Sequence, residues 1–227
     1  MHTAPIRLSK SKIAAFEHCA KRLWLQVYRR AEARLDEATL ARFQFGHDVG
    51  KRARLLVPNG ILIETGMDMT AALAQTAALI NTEHRAAIFE GTFQHDNTLV
   101  RVDILQPHGD GWEIIEVKAS SRIGGYHLAD IATQFWVATG TGLKVTKATI
   151  RHLSRPVDWR RPDIGGVRLC DADVTREIER FLVTRPQRVA DAAAILDGDE
   201  PERPMGSYCY RPLACEFREH CRRAVEG

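Results

Sequence analysis

Apolar residues recur at helical spacing from the first patterned stretch of the chain. Ile13, Phe16, Ala20, Leu23 and Val27 fall on one stripe, and Ser9 or Ser11 supplies an N-cap. The pattern predicts a single helix to about Tyr28, with Cys19 inside it. Asp36 caps a second predicted helix, which Pro58-Asn59-Gly60 stops after Val57, and residues 70–80 make an Ala-rich third. A short strand over 61–64 separates them. The period then changes to that of strands over 86–94, 99–106 and 112–119, punctuated by His95-Asp96-Asn97 and by Pro107-His108-Gly109-Asp110-Gly111, which predicts a meander of tight hairpins. Leu128, Ile131 and Phe135 mark a helix over 126–139, closed by Gly140 to Gly142 before a strand over 144–152. Residues 155–170 carry no regular pattern. Val174, Ile178, Phe181 and Leu182 predict a further helix that Pro186 interrupts, and a polar linker over 198–207 leads to a cysteine-bearing tail. The core order is helix, three strands, helix, strand, with no internal repeat.

Composition narrows the class. With 227 residues, 44% of them hydrophobic, the chain is long enough for one good core. The expectation is one domain over 1–227: a core over 36–154, a helical extension over 155–197, and a clasp made of 1–35 and 198–227. A formal net charge of +3 singles out no nucleic-acid partner. Lys10, Lys12, Lys21, Arg22, Arg29, Arg30 and Arg34 do crowd the first stretch, with Lys51, Arg52 and Arg54 following. Such a run is either a phosphate-neutralising patch or a solvated helix face. Nothing resembles a secretory signal or approaches the ~18 apolar residues of a membrane span, so a cytoplasmic protein with no membrane partner is expected. There, five cysteines point to metal binding or catalysis before disulfides.

The candidate chemistry lies on the central hairpin. Alternation puts Trp112, Ile114, Glu116 and Lys118 on one face of the third strand, and groups Asp103 with Leu99, Arg101 and Leu105 on the second. A hairpin turning about Gly109-Asp110 sets Asp103 opposite Glu116, with β-carbons about 5 Å apart. Like charges so placed need a compensating cation, and their oxygens suit Mg²⁺ or Mn²⁺, with the Val117 carbonyl as a further ligand. Lys118 would project beside the metal to orient water or to stabilise charge on a phosphate. The competing reading is a charge checkerboard in which Arg101 faces Lys118. Because the same face carries Leu99, Leu105, Trp112 and Ile114, a partly covered cleft is the alternative to a solvated sheet face. His47 shares a helix face with Leu40, Phe43 and Gly50 and so is expected to point inward, as a core histidine unless its helix packs over the carboxylates. Glu90 reads as a surface strand charge, or else as an ancillary acid.

Cys209, Cys215 and Cys221 are spaced C-x5-C-x5-C, with Cys19 far upstream. Four thiolates are the usual complement of a [4Fe-4S] cluster. Without a Cys-x2-Cys knuckle, zinc held by the four is a second reading and a disulfide a third. Cys170 is left over, as a buried inert thiol.

Gly46-His47-Asp48-Val49-Gly50, Val102-Asp103-Ile104, Glu116-Val117-Lys118, and Gln134 within Ile131-Ala132-Thr133-Gln134-Phe135-Trp136 resemble, in residues and order, the PD-(D/E)XK superfamily. The likeness is to its RecB-like nucleases, which include the CRISPR-associated exonucleases and the AddB nuclease domain. It spans nearly the whole chain. It implies an α/β restriction-endonuclease-like core, a central mixed sheet flanked by helices, with an N- and C-terminal helical iron-sulfur clasp. It makes His47, Asp103 and Glu116 metal ligands, Lys118 the catalytic lysine, Gln134 a helper near metal or substrate, and Cys19, Cys209, Cys215 and Cys221 the holders of a structural [4Fe-4S] cluster. The chain departs from the family where a tyrosine follows the glutamine: position 138 is Ala, with Trp136 and Tyr126 nearby. The implied activity is Mg²⁺- or Mn²⁺-dependent hydrolysis of DNA, as an exonuclease on single-stranded or duplex ends, alone or in a repair, CRISPR or defence complex. The alternative is a catalytically silent, cluster-stabilised DNA-binding or scaffolding subunit.

Overall fold

A computed structural model of the protein describes residues 8–82, 85–211 and 214–226, without the side chains of 224–226. The first seven residues of the expected clasp lie outside the described residues. The chain runs β1 (Leu8–Ser9), α1 (Lys10–His18), α2 (Ala20–Tyr28), α3 (Glu37–Arg54), β2 (Ile61–Leu62), α4 (Met69–Ile80), β3 (Ile88–His95), β4 (Thr98–His108), β5 (Gly111–Lys118), α5 (Gly125–Gly140), β6 (Val145–Leu153), β7 (Leu169–Asp173), α6 (Glu179–Leu182), α7 (Arg185–Asp197) and α8 (Arg218–Glu226). Seven strands form one mixed sheet in the order β2-β3-β4-β5-β6-β7, with β1 beside β4. The fold is α/β, a mixed central sheet flanked by helices, consistent with a restriction-endonuclease-like core.

The β3–β4 hairpin turns on Asp96 and Asn97, both left-handed at φ 43° and 58°, the two-residue turn that matches strand twist. β5 returns antiparallel to β4, but the ladder runs only from His108↔Gly111 to Ile104↔Ile115. Beyond it β5 stays parallel to β6 as far as Lys118↔His152, while β1 pairs with β4 at Thr98 and Leu99. The sheet therefore forks at residues 100–103 of β4. α5 covers one face, where Val102, Leu105, Trp112, Ile114 and Ile131 share a core. α3 covers the other, where Ala53 packs with Phe89, Ile104 and Ile115. Burying an aliphatic side chain of this size contributes roughly 1.5–3 kcal/mol, so both faces hold the sheet.

Three expectations are corrected. The single helix to Tyr28 is two, broken at Cys19, whose backbone is extended at φ −165° and ψ 122°. Cys19 N–H still donates to Ala15 O and Cys19 O still accepts from Leu23 N–H, so the break costs little hydrogen bonding. Pro186 does not interrupt a helix but opens α7, because the first turn needs no N–H from it. The unpatterned segment ends in a strand, β7, which pairs antiparallel with β6.

The chain ends meet at α2. Glu216 accepts from Arg22 Nε at 3.0 Å and Gln26 Nε2 at 2.8 Å, and Trp24 Nε1 donates to Gly198 O at 3.0 Å. Beneath them Phe217 packs with Leu25 and Cys215. Among the described residues no helix is long and apolar enough to cross a membrane. Phe217→Ala empties this contact, and denaturant unfolding is expected to show a loss of about 3–5 kcal/mol. A loss under 1 kcal/mol would mean that the tail is not docked on α2.

Candidate active site

The fork decides where the acids go. Continuing the β4–β5 register sets Asp103 against Glu116, but the ladder stops one pair short, and the Asp103 carboxylate takes the backbone instead: Val117 N–H donates to its Oδ2 at 2.7 Å. On the far side, the β3–β4 ladder skips the place where Glu90 would meet Asp103, and Glu90 is left-handed at φ 61°. Alternation is interrupted on β4 at that point. Val102 and Leu105 belong to the α5 face, whereas Ile104 belongs to the α3 face. Asp103 thus leaves the face expected of it. It lines a cleft of about 360 Å³ under α3, walled by His47, Lys51, Arg54, Glu90 and Val117.

Glu116 faces α5 and is 2% exposed. Lys10 Nζ donates to its Oε1 and Oε2 at 2.9 and 3.0 Å, Lys118 Nζ lies 2.7 Å from Oε1, and Gln134 Nε2 donates to Oε2 at 2.6 Å. Lys118 is shared with Asp130 at 2.5 Å. The carbonyl oxygen of the Gln134 amide is buried without a hydrogen-bond partner among the described residues.

These contacts set the charges. Burial alone would raise the Glu116 carboxyl, but Lys10 and Lys118 overcome it and hold the group well below the usual carboxylate range. Burial, and then Glu116, push Asp103 up to about 7 against the partial relief of Lys10 and the Val117 N–H. Burial would lower the Lys118 ammonium, yet Glu116 and Asp130 carry it above its ordinary value, so it stays charged at neutral pH. Burial and then Lys118 push His127, at the start of α5, down to about 4.

Asp103 and Glu116 are neighbours at the fork, and Lys118 and Gln134 belong to the same hydrogen-bonded cluster. His47 is placed differently from expectation. It is exposed, as are Leu40 and Phe43, because α3 buries Phe45, Val49 and Ala53 instead. It stands on the wall of the Asp103 cleft rather than in a core. The checkerboard does not form: Arg101 turns away toward Gly66 O and Met69 Sδ. Glu90 is not a surface charge, since it lines the cleft and pairs with Arg54 at 3.3 Å. Part of the basic run is consumed within the fold: Lys10, Lys21, Arg22 and Arg54 each take a carboxylate. Trp24 and Tyr28 stack on each other at 4.8 Å, and the Tyr28 hydroxyl donates to Leu196 O. Two residues escaped notice in the sequence. Asp130 had a signal, one helical turn before Gln134 and so on its face; Lys10, 106 residues from Glu116, had none.

Among the described residues no group of three or more His, Cys, Asp or Glu side chains is arranged to hold a metal ion. At the fork, ammonium and amide donors occupy Glu116. Asp103, Glu90 and the His47 imidazole line the cleft, and Glu116, outside its lining, is near enough for its charge to act on Asp103; oxygen and imidazole donors of this kind suit a hard divalent cation. Cys19, Cys209, Cys215 and Cys221 line one small cavity of about 20 Å³, bordered by Lys21, Arg22, Arg203 and Arg218. All five cysteines are free thiols, and burial pushes Cys215 up to about 11. Of the bordering cations, Lys21 and Arg22 already pair with Glu200 and Glu216. Cys170 is half-buried rather than buried, its Sγ 3.4 Å from His152 Nε2.

No family model and no curated protein matches the sequence. Similar solved structures include SSO0001, 12% identical, covering 97% of this chain and 88% of that one at a TM-score of 0.40. LHK-Exo in complex with dAMP is 16% identical, with 85% and 91% covered and a TM-score of 0.42. The alkaline exonuclease LHK-Exo from Laribacter hongkongensis is 13% identical, with 85% and 92% covered and a TM-score of 0.33. At these identities and TM-scores the likeness assigns no chemistry to this chain, which rests on the geometry above.

Asp103 gives a pH signature. Its folded carboxyl holds a proton up to about pH 7, whereas the unfolded one releases it near 3.8, so its contribution is fully present below 3.8 and is lost as pH rises through 7. In metal-free protein, Asp103→Asn should therefore gain on the wild type between about pH 4 and pH 7, by roughly 2 kcal/mol once solvent in the cleft is allowed for. Urea unfolding in EDTA measures the difference; parallel stability curves would show that Asp103 is not strained.

Proposed function

We propose that the protein is a divalent-metal-dependent deoxyribonuclease of the RecB-like type, acting as an exonuclease on DNA ends, single-stranded ends above all. The observation that carries the reading is the juxtaposition at the fork: Asp103 on the Val117 backbone, Glu116 one strand away, and Lys118 held between Glu116 and Asp130. Mg²⁺ or Mn²⁺ would be held by Asp103 and Glu116, with His47 and the Val117 carbonyl. When bound it supplies Lewis acidity and a lowered pKa for its water.

The chain's own groups have separable roles in this reading. Lys118, permanently charged, serves as an ammonium against the developing charge of the phosphate and not as a general base. Asp130 positions it, and Gln134 fixes the plane of the Glu116 carboxylate. Lys51 on the cleft wall offers positive charge to a phosphate backbone, whereas Arg54 is paired with Glu90.

The four thiols of Cys19, Cys209, Cys215 and Cys221 are proposed to hold a structural [4Fe-4S] cluster joining the α1–α2 break to the tail. Its binding free energy would add to folding, and loading would release protons from thiols such as Cys215. Cytoplasmic action, within or outside a repair, CRISPR or defence complex, belongs to the same proposal.

Asp103→Ala and Lys118→Ala are each expected to lower Mn²⁺-dependent cleavage of labelled single-stranded DNA at least about a hundredfold relative to wild type, with EDTA abolishing it. Cleavage retained by either purified variant overturns the site, and a wild type that binds DNA without cutting it supports the silent-subunit reading. Anaerobically purified protein should be brown and contain iron, and Cys209→Ala should lose both colour and thermal stability. Stoichiometric zinc with no visible absorbance would replace the cluster by a zinc clasp.

A further inference from the structure

The carboxylate of Glu116 is saturated. A carboxylate offers about four lone-pair positions, and here Oε1 accepts from Lys10 and Lys118 while Oε2 accepts from Lys10 and Gln134. No position is left for a cation, so any ion that takes this carboxylate must first displace a donor. The three donors are not equally held. Lys118 has a second carboxylate, Asp130, and Gln134 sits 0% exposed within α5. Lys10 ion-pairs with Glu116 alone among the described residues, and its side chain is 23% exposed against 17% for Lys118. It occupies two of the four positions, and it is the first residue of α1, next to a two-residue strand at the fork. A lysine side chain has four rotatable carbon–carbon bonds, so its ammonium can leave the carboxylate while the backbone of α1 stays packed.

We propose that Lys10 is an exchangeable counter-ion of the metal site: its ammonium holds Glu116 in the metal-free protein and yields the carboxylate to an incoming divalent cation, so that competition with this lysine sets the metal affinity. The proposal rests on reading Asp103 and Glu116 as a metal site. Without Lys10 the buried Glu116 remains paired with Lys118 and Gln134, so the carboxylate stays ionised and two lone-pair positions open to the metal. The ordinary expectation for a lysine in an active site is the opposite, that its removal leaves metal affinity unchanged or weakens it.

The test is binding of Mn²⁺ alone, followed by the electron paramagnetic resonance signal of the free ion, in DNA-free protein. Lys10→Met should bind Mn²⁺ about tenfold more tightly than wild type, and Lys10→Arg, which retains a cation with two-point reach, should bind no more tightly than wild type. Lys10→Gln, checked by circular dichroism, replaces the Met variant if that one fails to fold, with the same expected direction. Equal or weaker binding by a folded Lys10→Met or Lys10→Gln variant, while wild type binds Mn²⁺ and Asp103→Asn does not, overturns the counter-ion role and leaves the metal site standing. Absence of Mn²⁺ binding in every variant overturns the metal site and the counter-ion role together.

Discussion

Two strands stop pairing one residue pair before two carboxylates would be set face to face, and the site depends on that stop. An uninterrupted ladder would hold Asp103 and Glu116 opposite each other and bury both among apolar neighbours, at a cost sheets do not bear without a cation. The fork relieves this by sending the acids to different surroundings. Asp103 caps the Val117 N–H and looks into a cleft, while Glu116 turns to α5 and collects two ammoniums and an amide. β1 pairs with β4 at Thr98 and Leu99, just before the unpaired stretch, and thereby brings Lys10 to the fork.

The two acids then behave oppositely because charge is apportioned unequally. Glu116 has its counter-charges in contact and stays ionised; Asp103 has one backbone donor, a half-buried seat and a charged neighbour, and holds its proton up to about pH 7. Separation of this kind between paired carboxyls arises both in catalytic sites and in structural ion-pair networks. In the proposed metal site a divalent ion would relieve Asp103 while contesting Lys10 for Glu116, which would make metal affinity a property of the N-terminal helix as well as of the hairpin.

The clasp solves a separate problem. α2 contributes the Leu25 contact with Phe217 and the Arg22 and Gln26 bonds to Glu216, and the break at Cys19 sets a thiol on the wall of the cavity that the tail's three thiols line. Apolar packing and ion pairing already join the ends among the described residues, so a bound cluster would reinforce a closed geometry.

Local patterns determined a good deal. Strand alternation with hairpin punctuation located β3, β4 and β5, Asp36 and Asp68 cap α3 and α4 as short polar residues before helical runs do, and the count across Gly109-Asp110 aligned Asp103 with Glu116. These are short-range properties, read from periods of two and 3.6 residues. The exposure of His47, the left-handed kink at Glu90, the break at Cys19 and the arrival of Lys10 were not legible, because none is set by its neighbours along the chain. Each depends on what packs against it: α3 rotates to bury Phe45 and Val49, the ladders part at the fork, and a residue 106 positions away completes the carboxylate's shell. By itself, the sequence determined the strands of the central hairpins and which acids are aligned. Only the tertiary structure decided which lone pairs are taken and by whom, since that is a matter of distance between segments that no local period encodes.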